Sequence, residues 1–497
     1  MRNAMKNMTL ENIARACGGV YIGSREAAGK EVTGVVTDSR RVEAGYLFVP
    51  IRGARVDGHD FIPAVYEKGA LAVLSEHELI DAAGPYILVE SAKAAMQALA
   101  EFYRRSLGIW VVGITGSVGK TSTKEMIASV LGQKYRVLKT EGNLNNEIGL
   151  PLTIFKIREE HEVAVLEMGI SEFGEMHRLA AMAQPDICVI TNIGLCHLEN
   201  LIDRDGILRA KTESFAHLTE NGIAILNGDD DKLCTKRVVN GRPAVFYGLG
   251  REAKVIRTRD GEEPLAEKDI YATDVEEMGL WGTEATLHIG GESITVEIPI
   301  AGEHNVYNAL AAAAVGKQLG LTAEEIRQGI GAVQTIGGRS NIIRRDGITV
   351  IDDCYNANPV SMKASVDVLA KAPGRKIAVL GDMGELGAAE RELHAMVGRH
   401  FAGKGIDALF CTGMLSKEIA AAVCQCSEKT KVQECDSRGE LLRQLLLYRR
   451  DGDTILVKAS HFMGFSEIVR ALTGEETSEA GEPAGKEMTE ERAGEKA

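Results

Sequence analysis

No stretch of this chain approaches the roughly 18 consecutive apolar residues needed to cross a bilayer. Its start, Met1-Arg-Asn-Ala-Met-Lys-Asn-Met8, lacks the apolar core of a secretory signal. A cytoplasmic protein without membrane insertion is therefore expected. Cysteine is present but unorganised. Cys17, Cys188, Cys196, Cys234, Cys354, Cys411, Cys424, Cys426 and Cys435 are scattered, and none forms Cys-x-x-Cys. The Cys424-Gln-Cys426 pair has no second pair with which to build a zinc site, so reduced thiols are expected. Positive charge is in deficit: 57 Lys and Arg stand against 71 Asp and Glu, a net of −14. That balance excludes a nucleic-acid-binding surface, which needs clustered cations. Part of the deficit is local, because residues 474–497 have eight Glu against Lys486, Arg492 and Lys496, a net of −5. This tail also lacks aromatic and β-branched apolar residues and is expected to be disordered. Internal repeats and coiled-coil heptads are missing too.

What remains is a chain of 497 residues, 45% apolar and 26% charged, enough for about three ordinary domains with their own cores. Residues 1–107 hold short strands and glycine turns, such as Val35-Val-Thr37, Tyr46-Leu-Phe-Val49 and Leu71-Ala-Val-Leu74. Residues 108–336 alternate helical patterns with the apolar runs Val163–Leu166, Ile187–Ile190 and Ile223–Leu226. Continuous runs of this kind suit strands buried on both faces, hence a mostly parallel sheet flanked by helices. Between about 253 and 300 the texture changes to alternation (Thr286–Ile289, Ile294–Ile298), which predicts a small antiparallel section. An alanine-rich helix from Asn308 to about Leu319 follows. After the pair Gly337-Gly338, the runs Thr349–Ile351, Ile377–Leu380, Ala408–Phe410 and Ile455–Val457 predict a second doubly wound domain over 337–473, with the tail at 474–497. The fold class is α/β.

The most informative segment is Gly113-Ile-Thr-Gly-Ser-Val-Gly-Lys-Thr121, set between the apolar run Ile109-Trp-Val-Val112 and a helical pattern from Ser122 to Leu131. Strand, glycine turn, Lys-Thr and helix together make a phosphate-binding loop. Glycine permits close backbone approach, successive N–H groups point at phosphate oxygens, and the helix presents its positive end. Thr115, Gly116, Ser117 and Gly119 form the turn, Lys120 reaches the β/γ-phosphates, and Thr121 offers its hydroxyl to Mg²⁺. Glycine stands at 113 rather than at the usual place, which holds Ile114.

Other groups gather just past buried strands. Glu167 ends Val163–Leu166 at a position suited to a Mg²⁺ contact, although edge carboxylates are common. His197, in Thr191-Asn-Ile-Gly-Leu-Cys-His197, and Lys211, on a predicted helix, would individually read as packed or solvated side chains. Gly302-Glu-His-Asn-Val-Tyr-Asn308 opens a helix with amides that either read an adenine or cap the helix. Asp352-Asp-Cys-Tyr-Asn-Ala-Asn-Pro359 places two carboxylates and two amides in one turn.

In order and spacing, Thr115–Thr121, Asn143-Leu-Asn-Asn146, Glu167-Met-Gly169, His197-Leu-Glu199, Lys211, His304-Asn305, Gly338-Arg339 and Asp353–Asn356 resemble the Mur ligases, the ATP-dependent amide-forming enzymes of peptidoglycan precursor synthesis. Glu141–Pro151, Tyr355-Asn-Ala-Asn-Pro359 and Gly381-Asp-Met-Gly-Glu-Leu-Gly387 resemble the members that add D-alanyl-D-alanine. The resemblance runs from about Thr37 to Lys458. It implies three domains: a small α/β domain for the UDP-substrate, a central P-loop mononucleotide-binding domain with a parallel sheet, and a C-terminal Rossmann-like domain. It also implies an activity, in which ATP phosphorylates the terminal carboxylate of UDP-N-acetylmuramoyl-tripeptide and the amine of D-Ala-D-Ala displaces phosphate from the acyl phosphate, in a monomeric enzyme.

By the same resemblance, Lys120 and Arg339 neutralise the γ-phosphate, Thr121 and Glu167 hold one Mg²⁺, and His197 holds a second. Lys211 is expected to be N-carboxylated and to join the metal ligands. Asn305 contacts adenine, and Asp353 holds the ribose or aligns its domain. Ser39 and Arg40, near Gly58-His-Asp60, face the UDP-sugar, Asn145 and Asn146 face substrate, and Asn356 and Asn358 face the dipeptide. Lys458-Ala-Ser-His461 departs from the usual Lys-Gly-Ser-Arg. Three rival readings remain. The ligase adding the third residue would show Asp-Asn-Pro-Arg, which is missing here. Folylpolyglutamate synthase lacks the Asn143–Asn146 and Tyr355–Pro359 runs. A non-catalytic nucleotide switch would not need Glu167, His197 and Lys211 together.

Overall fold

The structure, a computed structural model, describes residues 4–53, 55–252, 255–258, 261–264 and 266–474. The tail beyond Gly474 lies outside the described residues. The chain forms two compact units: Met1–Glu277 with Thr283–Pro299 and Glu303–Gln334, and Met278–Gly282 with Ile300–Gly302 and Thr335–Ala497.

The first unit has two large sheets. Strands β1 (Val20–Ile22), β2 (Gly34–Val36), β3 (Tyr46–Phe48), β4 (Ala72–Ser75) and β5 (Tyr86–Leu88) line up as β1-β5-β4-β3-β2, parallel except for β1. The second sheet uses β6 (Trp110–Thr115), β7 (Val137–Lys139), β8 (Val163–Glu167), β9 (Ile187–Ile190) and β10 (Ile223–Asn227). After a two-strand hairpin, β11 (Val238–Val239) and β12 (Arg242–Pro243), β13 (Val245–Leu249) joins it. A second hairpin, β14 (Val255–Thr258) and β15 (Gly261–Pro264), precedes β16 (Ile270–Glu277), β17 (Thr283–Ile289) and β18 (Glu292–Ile298). The order is β18-β17-β16-β13-β10-β9-β6-β8-β7.

Burial explains the two textures of the sequence. Every residue of β8 and β9 is buried, as helices covering both faces require. β17 alternates buried and half-buried residues, because one face meets less cover. The alternating segment extends the main sheet and does not stand apart from it: β16 pairs with β13 in parallel and then leads an antiparallel meander into β17 and β18.

The helix Ala92–Arg105 fastens the two sheets to each other, and one continuous apolar core runs from Met5 to Ala266. Tyr103 Oη donates to Ile157 O at 2.6 Å. Arg104, buried, donates to Ala183 O at 3.0 Å and pairs with Asp186 at 3.2 Å.

In the second unit, β19 (Asn341–Arg345) and β20 (Ile348–Asp352) form an antiparallel pair, and β21 (Lys376–Leu380), β22 (Ala408–Thr412), β23 (Lys431–Cys435) and β24 (Thr454–Lys458) complete the order β19-β20-β24-β21-β22-β23. From β20 onward all neighbours are parallel. The turns after Asp352, Leu380 and Lys458 therefore emerge together at the carboxyl edge, where doubly wound sheets carry their sites.

Arg104→Met leaves Asp186 without its buried cation. It should lower stability by about 3 kcal/mol, read as a fall in the urea midpoint of the first unit; an unchanged midpoint would show that the pair contributes nothing.

Candidate active site

β6 ends at Thr115, and the helix Lys120–Leu131 starts directly after Gly119, two residues earlier than the apolar periodicity indicated. Gly116 and Gly119 have φ of +149° and +82°, values that L side chains rarely adopt. The turn is clamped by the segment following β9. Thr191 Oγ1 donates to Val118 O at 2.6 Å, and Asn192 both donates to Val118 O and accepts Val118 N–H, each at 3.0 Å. Ser117 N–H donates to Asn192 O at 3.0 Å, and Ser117 Oγ accepts Gly194 N–H at 2.9 Å. A Cβ at Gly116 would lie 1.9 Å from Thr191 Oγ1, so only glycine allows this approach. Lys120 Nζ donates to Gly116 O at 2.9 Å, and Thr115 Oγ1 is buried with no hydrogen-bond partner among the described residues. A buried hydroxyl without a partner beside a lysine and a helix N-terminus fits an anion.

Glu167, 1% exposed at the end of β8, is the junction of the site. Its Oε2 accepts the Thr121 hydroxyl at 2.9 Å, and its Oε1 accepts Asn145 Nδ2 at 2.9 Å. Buried Lys124 adds an ammonium 3.9 Å from Oε2 and 3.2 Å from Glu125. Among the described residues no group of three or more His, Cys, Asp or Glu gathers as a metal cage. One carboxylate beside one hydroxyl fits Mg²⁺, which is ordinarily shared between one or two carboxylates, phosphates and water.

Lys211 sits on the helix Arg204–Thr212 and is 1% exposed. Burial pulls its ammonium down to about 8, with a smaller opposing effect of Cys196 and a push in the same direction from Lys120. Lys211 therefore shares an electrostatic neighbourhood with the phosphate loop and with the residue preceding His197. His197 is half-buried, has φ +50°, and opens the short helix Leu198–Leu201.

The alanine-rich helix spans His304–Gln318, starting four residues before the expected Asn308, so His304, Asn305 and Asn308 lie on its first turns. Asn308 Nδ2 donates to Asn305 Oδ1, and Asn308 Oδ1 accepts the Thr123 hydroxyl, both at 2.8 Å. A chain of two hydrogen bonds thus ties Asn305 to the helix of the phosphate loop.

Other expected residues sit elsewhere. Ser39 and Arg40 lie on a short 3₁₀ turn beside β2, where Arg40 grips Asp38 with its guanidinium. Asn146 Oδ1 accepts Ile148 N–H at 3.2 Å and Gly149 N–H at 2.8 Å, just ahead of and at the first residue of the helix Gly149–Ile154. Arg339, Asp353, Asn356 and Asn358 all belong to the second unit. Asp353 Oδ2 accepts buried Lys458 Nζ at 2.6 Å, and Asn356 O accepts the same ammonium at 3.1 Å. Asn358 caps the helix Pro359–Ala370 by accepting Ser361 N–H at 2.9 Å.

Residues 31–106 match the catalytic domain of the Mur ligase family, residues 114–316 the Mur ligase middle domain, and residues 338–461 the Mur ligase glutamate ligase domain. The UDP-N-acetylmuramoyl-tripeptide–D-alanyl-D-alanine ligase of Bacillus subtilis is 38% identical over 94% of this chain and 99% of its own length. This chain is a Mur ligase. MurF from Acinetobacter baumannii superposes with a TM-score of 0.83 at 31% identity, covering 95% of this chain and 100% of that one. MurF from Thermotoga maritima in complex with ADP gives 0.75 at 31% identity, covering 88% and 96%. The fold is thus the three-domain α/β fold of those structures.

In this Mur ligase Asn308, one of the amides expected to read an adenine or cap the helix, instead links Asn305 to Thr123, and the roles of Thr191, Asn192, Thr123 and Lys124 leave no signal in the sequence. Their types are ordinary, and their partners lie far along the chain. Gly116→Ala should weaken ADP binding at least about tenfold, since the added methyl must push Thr191 off the loop. Titration calorimetry reads this, and undiminished affinity would contradict the clamp.

Proposed function

We propose that this Mur ligase joins D-alanyl-D-alanine to UDP-N-acetylmuramoyl-tripeptide at the expense of ATP, giving the UDP-MurNAc-pentapeptide used for peptidoglycan, and that it works as a cytoplasmic monomer. Similarity over nearly its whole length to ligases of that name carries the reading, and the loop, Glu167 and buried Lys211 supply the chemistry it needs.

A carboxylate is a poor electrophile, and its activation brings two anions together, so positioned cations and N–H donors do most of the catalysis. The N–H groups of Gly116, Gly119, Lys120 and Thr121 cradle the phosphates, those of Ser117 and Val118 being held by Asn192, and Lys120, released from Gly116 O, meets the γ-phosphate. Arg339 contributes a second cation to the transferred phosphate. Thr121 and Glu167 hold Mg²⁺, with His197 and the modified Lys211 at a second ion; when bound, the ions offset the charge of the phosphate and carboxylate oxygens. Asn145 keeps Glu167 oriented, and Asn305, fixed through Asn308, takes the adenine. Asp353, tied to Lys458, holds the ribose or aligns its domain. Ser39 and Arg40 serve the UDP end, with Asn146 shaping the substrate loop. Asn356 faces the dipeptide, and Asn358 holds that turn by capping its helix.

Lys211 is suited to N-carboxylation because the reacting form is the neutral amine: nitrogen attacks CO₂, a C–N bond forms and a proton leaves. With its ammonium pulled down to about 8, about a tenth of the amine is neutral at pH 7, against about one part in 2,500 for an ordinary lysine. The sign follows. Lowering pH below about 8 at fixed dissolved CO₂ refills the ammonium and should reduce turnover, and added CO₂ should restore it. Lys211→Ala should lose turnover and its CO₂ response while still binding ADP; full turnover would remove this role.

The reaction is tested with Mg-ATP, D-Ala-D-Ala and UDP-MurNAc-tripeptides ending in lysine or meso-diaminopimelate, following phosphate and product mass. Phosphate release that requires both acceptors, with a pentapeptide mass, is expected. Product with a single amino acid instead of the dipeptide would overturn the substrate. Lys120→Ala should slow the reaction on the order of 10²–10³-fold; a near-normal rate would mean that the loop does not hold the transferred phosphate.

A further inference from the structure

The turn after β20 is built more firmly than a surface loop needs. Asp352, 7% exposed, accepts Gly338 N–H on Oδ2 at 2.6 Å and the Cys354 thiol on Oδ1 at 3.0 Å. Tyr355 N–H donates to Gly338 O at 3.0 Å, and Ser340 N–H donates to Asp353 Oδ1 at 3.1 Å. From beneath, Lys458, 2% exposed, donates to Asp353 Oδ2, Asp353 O and Asn356 O at 2.6, 3.3 and 3.1 Å. Gly338 has φ +78°, and a Cβ there would meet Tyr355 Cβ at 3.1 Å. The backbones of Arg339 and Tyr355 are therefore locked to each other from both sides.

One side-chain contact crowns this frame. The Arg339 guanidinium lies 4.0 Å from the centroid of the Tyr355 ring, and the His461 ring flanks the same tyrosine at 5.6 Å. A planar guanidinium stacks on an aromatic face in a way an ammonium does not. An arginine held only by its backbone samples many rotamers, and the half-buried ring removes most of that freedom.

We propose that Tyr355 is a positioning residue for Arg339: its ring holds the guanidinium ready for the transferred phosphate, on a platform braced by Asp352 and Lys458. This rests on the ligase reading above and on Arg339 as a phosphate-neutralising cation. The ring, not the hydroxyl, carries the effect, and the effect exists only while residue 339 is arginine.

The test is a double-mutant cycle in full-length enzyme, read as acceptor-dependent phosphate release. Tyr355→Leu should lower kcat about five- to thirty-fold with an unchanged KM for UDP-MurNAc-tripeptide and an unchanged melting midpoint. Tyr355→Phe should restore kcat to within about twofold of wild type. In an Arg339→Lys background, Tyr355→Leu should change nothing further. If Tyr355→Leu does not fold, Tyr355→Gln takes its place in the same cycle. An equal loss in both backgrounds overturns the proposal, as does Tyr355→Phe behaving like Tyr355→Leu. Those outcomes leave the ligase reading standing, whereas wild-type protein that releases no acceptor-dependent phosphate removes the ligase reading and the proposal together.

Discussion

The Glu167 carboxylate, held at the end of a fully buried strand by Thr121 on one oxygen and Asn145 on the other, is the contact on which the catalytic architecture depends. A carboxylate this deeply buried is unfavourable unless both oxygens are satisfied. Here the satisfying groups come from the phosphate-loop helix and from the loop that follows β7. The same two bonds that keep the charge tolerable therefore fix the phosphate loop and the Asn145 loop around one point. Lys124, buried at 3.9 Å, offsets the charge further.

Around that point, rigidity comes from the ends of parallel strands. β6, β8 and β9 are neighbours in the sheet, so Thr115, Glu167 and Thr191 emerge side by side, and Thr191 with Asn192 can grip Val118. The helix His304–Gln318 closes the arrangement through Asn308. The second unit repeats the principle with different residues: parallel strands β20, β21 and β24 deliver Asp352, Asp382 and Lys458 to one edge. There Asp382 accepts Met414, Leu415 and Ser416 N–H groups at 3.0, 3.0 and 2.6 Å. That bonding accounts for the Asp in Gly381-Asp-Met-Gly-Glu-Leu-Gly387 as a brace at the start of the helix Ser416–Cys426.

Much of this was legible in the sequence, for local reasons. A glycine turn between an apolar run and Lys-Thr has a spacing that few structures other than a phosphate loop satisfy, and buried parallel strands announce themselves as unbroken apolar runs. Helix starts were less legible: Lys120 and His304 are polar residues already inside helices whose apolar periodicity begins later. The clamps were not legible at all. Thr123 meets Asn308 across 185 residues and Val118 meets Asn192 across 74, and no local pattern encodes such pairs. Asn145, Asn146 and Asn358 were visible as a motif, but the structure engages their amides with Glu167, Gly149 and Ser361, so part of what reads as substrate recognition is scaffolding.

The account turns on the acceptor carboxylate attacking the γ-phosphate held by the loop. Its most direct test uses UDP-MurNAc-tripeptide labelled with ¹⁸O in the terminal carboxylate, with ATP, D-Ala-D-Ala and mass analysis of the products. The account predicts one ¹⁸O atom in the inorganic phosphate and none in the nucleotide, because the acyl phosphate carries a carboxylate oxygen away with the phosphoryl group. Label appearing in AMP, or phosphate free of label alongside full product formation, would contradict it.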